Sequence, residues 1–356
     1  MKKNVMSIQI SLAMVTLTSS ISFGFGIAAK GVLKTYGQPV HETMTAKAAI
    51  ESGLLTNAQA VELKYLVEGV RFNDDPEGYL LEGAMESGQG GVVPFVTEFM
   101  GRHKESKEND PTKAAHFGDF QFLHAMGRST LSADDIKDNI MLYAAHCWKM
   151  ATDADSFAKF SKDYEFLLKQ SQSANPVQLN TEERALSKVI KLFPQQVLFF
   201  HAKNQAQFQF RSLGSLLHVI QDSYSKGHVV RIGWETGDNA GKIKYFQDYS
   251  QQDSNEHSHL DRHQTEKLDY NNLFQIQGVS IAFERSKQLL QMAAANCAWN
   301  NGDLDGHVAC EKSVFRFLDR DVFAFDENTD LKSRATKSHL NLIPKPAVID
   351  ESRGGP

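Results

Sequence analysis

Cysteine is scarce: three in 356 residues, at Cys147, Cys297 and Cys310. They lie too far apart for a thiolate zinc site, so any metal held by this chain must rely on histidine and carboxylate. In an oxidising compartment Cys297 and Cys310 can close a loop across AWNNGDLDGHVA, whereas Cys147, inside the apolar run MLYAAHCWKM, reads as buried and inert. Excess basic charge is missing too. A net charge of −5 excludes an overall positive field that would draw the chain to nucleic acid or an anionic membrane, while leaving room for a local patch. No internal repeat and no low-complexity tract stands out, and strand signals are sparse. The chain therefore reads as all-α, built of several packed helices.

What is plentiful is histidine, 13 residues, and phenylalanine, 23 residues, in a chain that is 41% hydrophobic and 23% charged. Residues 1–26 read as a cleaved secretory signal: Lys2 and Lys3 precede an apolar, small-residue run, and no further charge appears before Lys30. Cuts that place small residues at −3 and −1 fall after Ser22, after Gly24 or near Ala28. This predicts a protein working outside the cytoplasm, secreted or periplasmic. Residues 27–325 are expected to form the main domain, and 326–356, polar with Pro344, Pro346 and a GGP end, a partly disordered tail.

Helical patterns run over 40–55, over 56–70 with Thr56 or Asn57 as cap, over 132–154 with Ser132 as cap, over 155–170, over 181–200 with a break at Pro194, over 205–225, and from 270 to 298. Residues 82–110 read as irregular. Residues 229–255 hold the short strand candidates VVRIGW and GKIKYFQDY and read as a surface excursion, a small irregular or β lobe over the site. The Phe-rich FHAKNQAQFQF suits a helix core better than a lipid-facing surface.

The stretch LGSLLHVIQDSYSKGH, 213–228, organises the rest. His218 and Asp222 are four apart and share one face of a helix whose neighbours Leu213, Leu216, Leu217 and Ile220 suit a core. A buried imidazole and carboxylate must be paired or bound to metal, because an unpaired buried polar group costs a few kcal/mol. Gly227 suits a helix stop, and His228 just beyond can fold back to the same place. Alone, this array reads more readily as a buried His–Asp hydrogen bond than as a metal site. Further candidates follow the same pattern of histidine and aspartate at helix ends and on helix faces. His41 opens a helix. Asp74 and Asp75 precede Pro76. HFGD carries His116, in a segment that also contains Asp119 and His124. HSHLD carries His257 and Asp261, with His259 and His263 as an overlapping pair. Each has an ordinary reading as a cap, a turn or a solvated face. Together they match what a multinuclear zinc site needs, neutral imidazoles and a few bridging carboxylates.

In order and spacing these residues resemble the zinc-dependent phospholipase C / S1–P1 nuclease superfamily, whose pattern is an early His, an Asp, H-F/Y-x-D, H-x3-D-x5-H and then H-x3-acid. The resemblance spans roughly residues 25–265, with HFGD and the 218–228 array carrying most of it. It implies a multi-helix phospholipase C/P1 nuclease-like fold and three zinc ions. Asp74, His116, His218 and Asp222 would hold one ion and His228, His257 and Asp261 a second. His41 and Asp222 would share the third with the mature N-terminal residue. That residue is usually Trp in the family; here no Trp precedes Trp148, and Phe23 or Phe25 stand nearest. Asp75 remains an alternative to Asp74.

The implied activity is a zinc-dependent phosphoric-diester hydrolase in which Asp74 binds metal and orients the attacking water. Net acidity favours phospholipase C, with a phospholipid or membrane surface as substrate, over single-strand nuclease, the reading under which nucleic acid would be the partner. A zinc-binding protein without catalysis is the third reading. No obligate protein partner is expected.

Overall fold

The computed structural model describes residues 40–76, 111–158, 202–233, 241–251, 273–300 and 308–332. These residues are mostly helical, with one small sheet. Helix α1 spans Val40–Glu51 and α2 Ala60–Phe72. A short α3, Pro111–Phe117, leads into a 3-10 turn, Gln121–His124. The long helices α4, Ala133–Thr152, and α5, Gln205–Asp222, precede β1, Val229–Arg231, and β2, Ile243–Phe246. Helix α6, Val279–Ala294, and the single turn α7, Val314–Phe317, complete the order. The signal segment, the expected helices at 155–170 and 181–200 apart from the first residues of the former, and the HSHLD motif with its His257 and Asp261 lie outside the described residues.

Local chemistry sets the helix ends. Ser132 and Asp135 form a reciprocal capping box at the start of α4, with Asp134 and Asp135 complementing the helix dipole. Asn204 accepts from the Gln207 amide and starts α5. The expected cap of α2 at Thr56 or Asn57 is displaced to Gln59. Its Oε1 accepts from both the Thr56 amide, 2.9 Å, and the Thr56 hydroxyl, 3.1 Å, so residues 56–59 form a turn and the helix begins at Ala60. Gly53, at φ +78°, turns the chain out of α1.

Helix α5 is the axle of the fold. Residues 212–222 are buried on every side, with α2 and α4 packed closest and α1 and α6 covering the remainder. The α2–α5 crossing depends on two glycines. A Cβ on Gly69 would collide with the Arg211 carbonyl, and one on Gly214 with the Leu66 carbonyl, so the backbones approach as only glycine allows. Phe208 lies in the core at 1% exposure and Phe210 is half-buried, which places the aromatic run inward.

The strands form an antiparallel pair, Val229 opposite Phe246, with a register slip between Val230 and Arg231. It is not a surface excursion: Val229, Ile243 and Phe246 are almost completely buried. The chain beyond α7 returns to it. Phe325 bridges Ile243 in parallel, Asp326 N donates to the Ile243 carbonyl at 2.9 Å, and the Leu331 carbonyl accepts from Asp134 N at the start of α4. The boundary expected at 325 thus falls inside a segment tied down as far as Leu331. Cys297 and Cys310 form a disulfide, and Cys147 is a buried free thiol. Among the described residues no helix is long and apolar enough to cross a membrane, and the disulfide suits an extracellular setting.

Candidate metal centre

The end of α5 collects the chemistry. His218 and Asp222 point from one face of the helix, and three further elements deliver partners. His41 comes from the first turn of α1, Asp74 from the residues just past α2, and His124 from the 3-10 turn after α3. His228 follows the end of α5, as its position beyond Asp222 suggested. All six are almost completely buried, none above 2% exposure.

Asp222 is the hub. Its Oδ1 lies 3.1 Å from His41 Nε2. Its Oδ2 is 2.9 Å from His124 Nδ1, 2.9 Å from His218 Nε2 and 3.2 Å from His228 Nδ1. Four imidazole nitrogens thus surround one carboxylate. His124 Nδ1 and His218 Nε2 are also 3.1 Å from each other. Asp74 lies beside two of the same rings, its Oδ1 3.9 Å from His124 Nδ1 and its Oδ2 3.8 Å from His218 Nδ1. The donor atoms fall into three overlapping triads: His41, His218 and Asp222; Asp74, His124 and His218; and His124, Asp222 and His228.

Asparagine and arginine struts hold these elements in place. Asn73 donates to the Leu123 carbonyl at 2.6 Å and the Ser215 carbonyl at 3.2 Å, fixing the chain beside Asp74 to both the 3-10 turn and α5. Buried Arg231 donates to the Ser223 carbonyl, 2.7 Å, and to the Val322 carbonyl, 2.8 Å. Its charge complements the carbonyl end of α5. His228 Nδ1 donates to the His124 carbonyl at 2.8 Å, which leaves Nε2 as the nitrogen with a lone pair.

Burial dominates the electrostatics. It lowers the His124 and His218 pKa values to about 4, so both imidazoles are neutral near pH 7, the state a metal requires. Burial alone would raise Asp222, but the imidazoles of His218, His228 and His124 hold it well below the usual carboxylate range. Burial would lower His41, and the hydrogen bond and charge of Asp222 raise it instead. Asp74 is pushed well above the ordinary value, by burial first and by the Asp222 charge in addition. One carboxylate is ionised and its neighbour resists ionisation.

These residues fit a divalent cation. Both oxygens of Asp74, Nε2 of His124 and Nδ1 of His218 are buried without a hydrogen bond, a cost of about 1–3 kcal/mol for each such group. Their donor set, neutral imidazole with carboxylate and no thiol, suits a first-row divalent metal. The buried His/Asp clusters can hold a metal ion.

Of the residues singled out in the sequence, His41, Asp74, His218, Asp222 and His228 converge here. His116 does not enter any of the triads. Its ring stacks at a tilt on His124, centroids 4.9 Å apart, and meets the edge of half-buried Tyr249 at 5.5 Å. His124 stands where His116 was expected. Asp119, the acid of HFGD, is turned to the surface and paired with Arg128 at 2.7 Å. Asp75 is buried, its amide bonded to the Arg71 carbonyl, and is absent from the triads. Sequence reasoning missed His124 as a member of the cluster. A lone histidine in the apolar run FQFLHAM was its only signal. Comparison of the chain with family models, with curated proteins and with solved structures finds no match.

Proposed function

We propose that this protein is a secreted zinc-dependent phosphodiesterase of the phospholipase C type, hydrolysing a phospholipid to diacylglycerol and a phosphorylated head group. The observation that carries the reading is Asp222, a single buried carboxylate approached by four imidazoles, with Asp74, unbonded at both oxygens, beside two of the same rings. Polar groups so concentrated in a core are costly unless they serve a cation. A zinc ion held there would supply Lewis acidity toward a phosphoryl oxygen and would acidify water.

The chain supplies the remainder. His41, His124, His218 and His228 would bind as neutral imidazoles, His41 giving up the proton that Asp222 favours on it, and Asp222 would be the shared anionic ligand of two triads. Asp74 has oxygens free to accept from the attacking water. Its raised affinity for protons, caused by burial, suits it to take up the proton that water releases. Exclusion of bulk water strengthens each of these interactions. His257 and Asp261 remain candidate ligands by motif alone, and three ions is the count the superfamily resemblance implies. Net acidity favours lipid over nucleic acid, and the disulfide supports an oxidising compartment.

The test is turnover of phosphatidylcholine vesicles and of single-stranded DNA, side by side, by zinc-loaded protein. Diacylglycerol release with DNA intact is expected. DNA degraded while phospholipid survives would replace this reading with a nuclease. Turnover of neither by a zinc-loaded protein would leave the non-catalytic zinc-binding reading.

A further inference from the structure

The side chain of Gln221 is completely buried beside the metal basin, yet it is not a candidate ligand. It joins three helices. Its Oε1 faces His41 Nδ1 at 2.7 Å. Its Nε2 donates to Thr45 Oγ1 at 2.8 Å, one turn along α1 from His41, and to Ser286 Oγ on α6 at 3.4 Å.

We propose that Gln221 is a positioning residue that sets the tautomer of His41, holding the ring proton on Nδ1 so that the lone pair of Nε2 faces the metal. This inference rests on the metal reading above.

The physical case turns on two acceptors that compete for one proton. His41 Nε2 lies 3.1 Å from Asp222 Oδ1. In a neutral imidazole only one nitrogen carries hydrogen. Left to the carboxylate, that hydrogen would sit on Nε2, and a protonated nitrogen cannot bind a metal. The amide oxygen of Gln221 accepts and cannot donate, so it draws the hydrogen to Nδ1. In the observed orientation Thr45 and Ser286 accept from the amide Nε2, which leaves the amide oxygen for Nδ1. Outer partners of metal-bound histidines do this work generally, and losing one weakens metal binding roughly 10- to 100-fold.

Two variants separate the acceptor from the bulk of the side chain. Gln221→Leu removes the acceptor at similar size. Gln221→Glu keeps an oxygen toward Nδ1 and lets the two hydroxyls donate to the other oxygen. Zinc is titrated into chelator-stripped full-length protein against a chromophoric competitor, with helicity checked by circular dichroism. In zinc-loaded wild-type protein, two-dimensional 15N–1H NMR of labelled histidine reports which His41 nitrogen is protonated. The expected results are Nδ1–H in the wild type, zinc binding at the His41 position weakened about 10- to 100-fold in Gln221→Leu, and binding in Gln221→Glu within a few-fold of wild type. Wild-type affinity in Gln221→Leu, equal losses in both variants, or a proton on His41 Nε2 in the zinc-loaded protein would each overturn the inference while the metal reading stands. A wild-type protein that binds no zinc overturns both.

Discussion

Asp222→Asn is the most informative single change, because it preserves size and removes the hub's charge. In the wild type, Oδ1 serves His41 and Oδ2 serves His124, His218 and His228, with contacts of 2.9–3.2 Å. An amide offers one oxygen. Whichever way it turns, its NH2 group faces imidazole nitrogens that had a carboxylate oxygen beside them, and the hydrogen bond from His124 to a charged partner, worth about 1.5–3 kcal/mol, is exchanged for a weaker one. Part of this loss is recovered because a buried charge is no longer desolvated, so the metal-free variant should be about 1–3 kcal/mol less stable. The larger effect is on the metal. A ligand at a hundredfold its Kd stabilises the folded state by about 2.7 kcal/mol. For a chain of 356 residues, at roughly 0.7 kcal/mol per kelvin of unfolding entropy, that is about 4 °C in Tm. Thermal scans with and without chelator measure it. Chelation should lower the wild-type Tm by about that amount or more and leave Asp222→Asn unchanged. A chelator-induced shift in the variant as large as in the wild type would refute the assignment of Asp222 as the shared ligand.

Other outcomes follow from the same geometry. His124→Ala should lose more zinc than His116→Ala when each is assayed by elemental analysis, because His124 belongs to two of the donor triads and His116 to none. Gly214→Ala should reduce the unfolding free energy by about 1–3 kcal/mol or more, read as a lower denaturation midpoint, since the added methyl meets the Leu66 carbonyl across the α2–α5 crossing. His146, on α4 and away from the basin, is lowered to about pKa 4, by burial first and by Lys149 second. The unfolded chain, at about 6.5, binds this proton more readily than the folded one. The group's contribution is therefore full above pH 6.5 and is lost as pH falls toward 4. His146→Leu should reduce the pH slope of unfolding free energy in that window by up to about 1.4 kcal/mol per pH unit, measured in chelator-treated protein by denaturant titration.

The parts of this site that were legible in sequence are those governed by helix periodicity. His218 and Asp222 share a face because four residues nearly complete a turn, and Leu213, Leu216, Leu217 and Ile220 announce burial. Asp74 was legible as a residue at a helix end, but its separation from Asp75 was not, because the chain there is neither helix nor strand. His124 was hidden for the same kind of reason. It closes a 3-10 turn whose last step places Ala125 in the left-handed region, φ 51°, and no regular period points into or out of such a turn. HFGD drew attention to His116 and Asp119 instead, yet the turn after Phe117 sends Asp119 outward to Arg128. The strand candidates were found by their β-branched and aromatic composition. Their burial was not, since the partner that covers β2, Phe325, lies about eighty residues further along the chain. Gln221 gave no signal, because a glutamine within a helix has no distinctive spacing and its role exists only where α1 and α6 meet α5.

The measurement that bears most directly on the central claim is the metal content of the purified mature protein after dialysis against metal-free buffer. The account predicts zinc retained at one ion per chain or more, approaching about three if the resemblance holds in full. A folded protein that carries no divalent metal, and takes up none on zinc titration, would contradict it.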